Sequence, residues 1–171
     1  MESTRRTFDE FSREHLPGLL RFAAVLTGDR ELAQDLVQDA LVRAHRHWGR
    51  VVSADRPDLY LRRMVVNGHL SWRKRWYQRS VRPTADYAGA EPSSGDPTAT
   101  IADREQLVVL LRKLTPAQHA AIVLRFYEDR DDTEIAEAMG CATGTVRSHI
   151  SRGLAVLRLH LESDLAEVSE S

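Results

Sequence analysis

Residues 132–154 read DTEIAEAMGCATGTVRSHISRGL, and this stretch decides how the second half of the chain folds. Apolar residues recur at helical spacing on both sides of Gly140, which stands where a helix ends in a left-handed residue. A second amphipathic run begins near Thr143, with an aliphatic residue at every fourth position: Val146, Ile150 and Leu154. The spacing predicts two helices joined by a tight turn, as in a helix-turn-helix.

The second of these helices is predicted to carry a polar outer face. Its members are Thr145, Arg147, Ser148, His149, Ser151 and Arg152. Their hydroxyl, guanidinium and imidazole groups suit hydrogen bonds to phosphates and to base edges in a major groove. The same pattern fits an ordinary helical hairpin with a solvated polar face, because alanine-rich hairpins with a central glycine are common.

Composition limits the classes of protein to which the chain can belong. With 171 residues and 42% hydrophobic content, two small helical domains fit better than one medium domain. The net charge of −1 means that a nucleic-acid role must rest on local charge. The single cysteine, Cys141, excludes an internal disulfide, no zinc-ligand spacing occurs, and a cytoplasmic location is expected. No signal peptide or membrane span is predicted.

The first half of the chain predicts two helices before residue 50. Thr7 and Glu10 have capping-box spacing and open a helix that ends at Thr27 and Gly28, with Pro17 predicting a kink or a break. Asp29 caps a helix from Arg30 to about Trp48. Its polar stripe comprises Gln34, Asp35, Gln38 and Asp39. Two carboxylates four residues apart suit a metal or an acid–base pair, but most such faces are simply solvated.

A basic, aromatic helix is predicted to begin at Pro57. Between Leu59 and Arg82 the chain has seven basic residues and no acidic one, interleaved with Tyr60, Trp72, Trp76 and Tyr77. Cations among aromatic rings suit single-stranded nucleic acid, whose bases stack on rings for about 1 to 3 kcal/mol each. The alternative is that Trp72 and Trp76, four residues apart, are core residues.

Residues 80–100 change character, with three prolines and no apolar period, and predict a flexible linker. Order is predicted to resume with a helix over residues 103–114, whose core side comprises Leu107, Leu110, Leu111 and Leu114. A capping box with proline at the first helical position, Thr115 to Gln118, opens the next helix, whose core side is predicted to include Phe126. The acidic tail from Glu162 is predicted to fray.

Three segments resemble bacterial RNA polymerase sigma factors. EIAEAMGCATGTVRSHISRGLAVLR is similar to the promoter-reading helix-turn-helix, and LTGDRELAQDLVQDALVRAHRHW to the helix that docks on the polymerase β′ coiled coil. Within residues 60–75, the pattern of Tyr, Leu, Asn and Arg is similar to the helix that opens the minus-ten box, although Gly68 and His69 replace the commoner Leu and Ala. Because the segments occur in the expected order, the chain is identified as a member of the sigma-70 superfamily, of the extracytoplasmic-function type.

The resemblance implies an all-α fold with domain 2 at residues 7–79, a linker at 80–100 and domain 4 at 101–163. It implies a protein that acts by binding, with no cofactor or metal. Its implied partners are core RNA polymerase (β′ coiled coil and β flap), promoter DNA and an anti-sigma factor. The implied core-polymerase contacts are Asp35, Gln38 and Asp39. The implied minus-ten contacts are Tyr60, Asn67, Trp72, Arg73 and Arg75. The implied minus-thirty-five contacts are Thr143, Thr145, Arg147, Ser148, His149 and Arg152.

Two functions other than that of a sigma factor are alternatives for this sequence. A stand-alone helix-turn-helix regulator would need neither the Asp35 and Gln38 face nor the basic helix. An enzyme would need a nucleophile with a base, a metal set or a phosphate loop. His45 and His47 lie two apart on a predicted helix and point to different faces, so they cannot share a metal.

Overall fold

In the computed structural model, residues 7–79 and 101–169 are described; they are helical apart from short turns and contain no strand. The predicted all-α class is therefore confirmed. The chain divides into two compact units, residues 1–91 (unit 1) and 92–171 (unit 2). The linker predicted at residues 80–100 lies outside the described residues. Unit 1 contains α1 (Phe8–Thr27), α2 (Arg30–Arg46), α3 (Trp48–Val52) and α4 (Pro57–Arg79). Unit 2 contains α5 (Ile101–Leu111), α6 (Pro116–Ile122), a π-helical segment (Val123–Tyr127), α7 (Asp132–Met139) and α8 (Thr143–Ser169).

Both ends of α1 and the start of α2 are set by local signals that the sequence predicted: side-chain caps at the two helix starts and a glycine at the end of α1. The Thr7 hydroxyl accepts a hydrogen bond from the Glu10 backbone N–H at 3.3 Å, and the Glu10 carboxylate accepts the Thr7 N–H at 3.1 Å. Gly28 ends α1 in the left-handed conformation, with φ 66°. The Asp29 carboxylate then caps α2 by accepting the Leu32 N–H at 3.1 Å. These contacts satisfy backbone groups that a helix end leaves without partners.

The core of unit 1 lies where α2 packs against α1 and α4. Gly68 stands at the α2–α4 contact, where an added Cβ would lie 3.1 Å from the Leu36 Cδ2 atom. His69, the next residue, is buried. The glycine that replaces the commoner leucine therefore allows a close helix–helix approach, and α4 continues through it without interruption.

Two predictions for unit 1 are corrected. Of the kink or break predicted at Pro17, the break does not occur: α1 runs from Phe8 to Thr27, and Phe11 on one side and Leu19 on the other are both buried. The second helix ends at Arg46, and Trp48 begins the short helix α3. There its ring packs edge-on against Phe8, with centroids 5.6 Å apart.

In unit 2 the capping box of α6 is confirmed, and three other predictions are wrong. Phe126 is 63% exposed, because it lies in the π-helical segment, where the wider turn shifts side chains out of α-helical phase. Leu107 is 53% exposed, since α5 packs on unit 2 along the side that carries Leu110. The acidic tail remains helical as far as Ser169. Among the helices of residues 7–79 and 101–169, none combines the length and apolarity needed to cross a bilayer.

Gly153→Ala is expected to destabilise unit 2, because α8 packs on α6 through this glycine. An added Cβ would lie 2.6 Å from Ile122 Cδ1 and 3.4 Å from Gln118 Cβ. Overpacking costs about 1 to 3 kcal/mol, and at 2.6 Å we expect a cost above the ~1 kcal/mol that replacing glycine by alanine contributes to a helix. All three tryptophans lie in unit 1. In urea, the unfolding transition seen by far-UV circular dichroism should therefore begin earlier, while the tryptophan fluorescence transition stays unchanged.

Gly144→Ala is the matched control, since it lies in the same helix and its added Cβ meets nothing within 4 Å. This variant should be as stable as the parent or more stable. Equal urea midpoints for the two variants would show that the α6–α8 contact tolerates the methyl group.

Candidate nucleic-acid interface

The helix-turn-helix of unit 2 comprises α7, a turn at Gly140 and the start of α8. Asp131 caps α7 by accepting the Glu134 N–H at 2.8 Å, and the Glu134 carboxylate accepts the Asp131 N–H at 3.1 Å. Gly140 ends α7 with φ 66°, a conformation in which an L side chain is strained. Both boundaries of this first helix are thus encoded locally, and the predicted glycine terminus is confirmed.

The second helix of the motif begins at Thr143, as the sequence predicted. The Val146 N–H donates to the Ala142 carbonyl at 3.1 Å, so Ala142 occupies the capping position without a side-chain cap. Val146 is fully buried and fixes the helix on its unit. The six predicted duplex contacts all fall within its first three turns. Thr145, Arg147, Ser148 and Arg152 are exposed, and Thr143 and His149 are half-buried.

An ion-pair network that the sequence did not predict lies at the junction of the two helices. Asp132, the first residue of α7, accepts the Arg147 Nε–H at 2.8 Å through its Oδ2 atom. Its Oδ1 atom accepts a hydrogen bond from Arg125. The acceptor precedes Arg147 by 15 residues, and sequence rules for ion pairs reach only three or four residues along one helix. Arg147 was therefore predicted without its partner.

The cysteine in the turn of the helix-turn-helix is a free thiol. Burial raises the pKa of Cys141, which keeps the thiol protonated at neutral pH.

The basic helix of unit 1 is α4, and its predicted nucleic-acid residues lie in different environments. Asn67 and Arg75 are exposed, whereas Tyr60, Trp72 and Arg73 are half-buried. Only two of the five predicted side chains, the Asn67 amide and the Arg75 guanidinium, are therefore exposed to solvent.

The two tryptophans of α4 stack on each other, with ring centroids 6.5 Å apart and planes inclined by 19°. The Arg73 guanidinium lies 5.8 Å from the Trp76 ring centroid, at cation–π distance, and burial lowers its pKa. An arginine keeps its charge despite such a shift. Both rings are half-buried, so neither is a fully buried core residue.

The polar stripe of α2 is exposed, as predicted. Asp35, Gln38 and Asp39 all face solvent on the side opposite the buried Leu36 and Ala40. Val42 lies on the same stripe and is 45% exposed. This valine is not among the predicted contacts, although its position seven residues after Asp35 places it on that face. The stripe therefore combines two carboxylates with an apolar side chain, a composition suited to a protein partner.

A helix-turn-helix in one unit and a basic, aromatic helix in the other define a class of protein, a DNA-binding transcription factor. Family comparison agrees with this class unit by unit. The family model for Sigma-70 region 2 matches residues 11–79, and that for Sigma-70, region 4 matches residues 104–157. The first match covers the unit for which a stand-alone helix-turn-helix regulator would have no use.

Relatives and solved structures extend the agreement to most of the chain. The RNA polymerase sigma-E factor of Streptomyces avermitilis is 38% identical over 156 residues, which cover 91% of this chain and 86% of that relative. The ECF RNA polymerase sigma factor SigL of Mycobacterium tuberculosis is 33% identical over 152 residues, 87% and 85% of the two chains. The chain therefore belongs to the sigma-70 family of RNA polymerase sigma factors, which direct the polymerase to specific promoters.

The fold is also found among solved structures. The sigma factor RpoE, in its co-crystal structure with the anti-sigma factor NepR from Bartonella quintana, superimposes with a TM-score of 0.73 at 24% identity. The superposition covers 92% of this chain and 98% of that one. The helix order described above is therefore that of a known sigma factor.

Proposed function

We propose that the two units divide promoter recognition between them, unit 2 reading the minus-thirty-five duplex and unit 1 capturing the opened minus-ten strand. The observation that carries the proposal is the row of donors on α8, which stands exposed above the buried anchor Val146. A helix presented in this way fits a major groove, where hydroxyl and guanidinium groups meet base edges.

Within unit 1 the proposal assigns two surfaces to two partners. The exposed stripe of Asp35, Gln38 and Asp39 docks on the β′ coiled coil of core polymerase. The α4 helix offers Asn67 and Arg75 in solvent beside the stacked tryptophans, and this combination suits unstacked bases and their phosphates. The residue boundaries 7–79 and 101–163 are proposed for the two functional domains.

The proposal extends to the setting in which the protein works. It acts by binding and not by bond chemistry, in the cytoplasm, where core polymerase and promoter DNA are its partners. Unit 2 also contacts the β-subunit flap. An anti-sigma factor is proposed as a regulator, since the sigma factor of shared fold was solved in complex with one.

The test of the whole proposal is promoter-dependent run-off transcription with purified core polymerase and the full chain. Defined transcripts should appear with the chain and not with core enzyme alone. Specific duplex binding by the chain without core polymerase, combined with no transcript from any bound promoter, would contradict it.

The role of Arg147 is tested by Arg147→Ala. A bidentate base contact is worth about 1 to 3 kcal/mol of discrimination against the wrong base. We therefore expect the variant holoenzyme to lose roughly 5- to 100-fold of its preference at one position of a randomised upstream box. Sequencing of the bound fraction measures this preference.

Arg112→Ala is the matched control, because it removes an exposed arginine from the same unit at a distance in sequence from the helix-turn-helix. It should leave base preference unchanged. A uniform loss of affinity in Arg147→Ala, with preference intact at every position, would identify Arg147 as a phosphate contact and not a base contact.

A further inference from the structure

Arg147 is both solvent-exposed and held by a hydrogen bond. It is 69% exposed, as a residue that meets DNA must be, and yet its Nε atom is hydrogen-bonded to Asp132 at 2.8 Å. The carboxylate that holds it is itself only 27% exposed, and its second oxygen binds Arg125. The acceptor is thus fixed at both oxygens, on the first residue of the first helix of the motif.

The atom used in this bond determines what remains for DNA. An exposed arginine samples many rotamers, and a bond through Nε fixes the direction of the guanidinium plane. The bond uses Nε, so the end-on edge of the guanidinium, formed by Nη1 and Nη2, is left for another acceptor. This end-on edge of an arginine matches the O6 and N7 acceptors of a guanine in the major groove.

We propose that Asp132 is a positioning residue that holds Arg147 for end-on contact with one guanine of the upstream duplex. The inference rests on the proposed base contact of Arg147 and deepens it by naming the base and the residue that sets the geometry. Asp132 acts only through Arg147, and Arg125 keeps the carboxylate in place.

Electrostatics separates this role from that of an ordinary surface charge. A carboxylate facing DNA repels phosphates, so its removal should by itself tighten binding to every sequence alike. A positioning carboxylate has the opposite signature, because its removal lowers preference at a single base position. The Arg125–Asp132–Arg147 group carries two positive charges and one negative charge, so it remains net positive toward the duplex.

The experiment uses holoenzyme assembled from core polymerase and the full chain, bound to promoter duplexes with a randomised upstream box. The variants are Asp132→Ala, Asp132→Asn, Arg147→Ala and the double variant Asp132→Ala with Arg147→Ala. Glu137→Ala is the control, since it removes an exposed carboxylate from the same helix. Melting curves confirm that each chain is folded.

We expect Asp132→Ala to lose preference for guanine at the position affected by Arg147→Ala, by roughly 5- to 30-fold, within the range of one bidentate contact. The double variant should lose no more than Arg147→Ala alone. Asp132→Asn keeps an acceptor oxygen and should recover part of the preference. Glu137→Ala should keep the full preference.

Two results overturn the inference, and they differ in what else they overturn. If Arg147→Ala loses preference at one position and Asp132→Ala does not, Arg147 reads its base without help and only the positioning role is wrong. If Arg147→Ala changes preference at no position, the proposed base contact fails, and the positioning role fails with it.

Discussion

The double substitution Asp35→Arg with Asp39→Arg is expected to abolish binding to core RNA polymerase while leaving the fold intact. Both carboxylates are exposed on one stripe of α2, so neither substitution removes a core contact. Reversing a charge at a protein interface replaces an attraction by a repulsion, and losing a close charge pair alone costs about 2 to 5 kcal/mol. We therefore expect at least a ~100-fold loss of affinity. Co-purification with core enzyme and competition against the parent chain measure this loss.

The control changes the net charge by the same amount at other exposed positions of unit 1. Asp9→Arg with Asp55→Arg provides it, since both residues are exposed and neither lies on α2. This variant should bind core polymerase normally, and both variants should keep the helical circular dichroism signal. Equal co-purification of the two double variants with core enzyme would show that the α2 stripe is not the docking surface.

The exposed Val42 refines this expectation. An apolar side chain beside two carboxylates contributes to docking through burial and not through charge. The loss of core-polymerase affinity caused by the two Asp→Arg substitutions should therefore become smaller as salt is raised. A Val42→Asp variant should still bind core polymerase weakly at high salt.

Helix boundaries could be predicted from the sequence wherever a cap is encoded locally. Asp29, Thr115 and Gly140 mark helix ends through bonds or backbone conformations that involve neighbours within four residues. Such signals do not depend on the rest of the fold, so they survive into the structure. The exposed stripe of α2 was predictable for a related reason, because helical periodicity alone separates its two faces.

Features that depend on distant partners could not be predicted. Phe126 has core spacing, but the π-helical segment changes the helical phase and turns the ring into solvent. The apolar stripe of α5 is wider than the part of it that is buried, so Leu107 lies on the stripe and is still exposed. The bond from Arg147 to Asp132 joins different helices. The first outcome is set by a change of helical period, and the other two by packing between elements; a regular apolar pattern in one helix contains neither.

The minus-ten assignment makes its strongest prediction at the melting step of initiation. Asn67→Ala with Arg73→Ala should give a holoenzyme that still occupies linear promoter duplex through unit 2 but opens it poorly. Losing a neutral hydrogen bond worth about 0.5 to 1.5 kcal/mol and a charge-assisted one worth about 1.5 to 3 kcal/mol should lower the opened fraction by about tenfold or more. Permanganate reactivity of thymines in the minus-ten box measures opening, and a mobility-shift assay measures occupancy. A pre-melted bubble template should restore part of the transcription, because it removes the need for strand capture during opening.

A second double variant tests strand capture without altering the packing of α4. Arg73 is half-buried and lies over the Trp76 ring, so its removal also alters packing at the end of α4. Asn67→Ala with Arg75→Ala truncates two exposed side chains and should show the same melting defect without that loss. Arg21→Ala, an exposed arginine on α1, is the control and should open promoters normally. If both double variants match the parent in permanganate reactivity at equal occupancy, α4 does not capture the strand, and its basic residues only add to the general attraction for DNA.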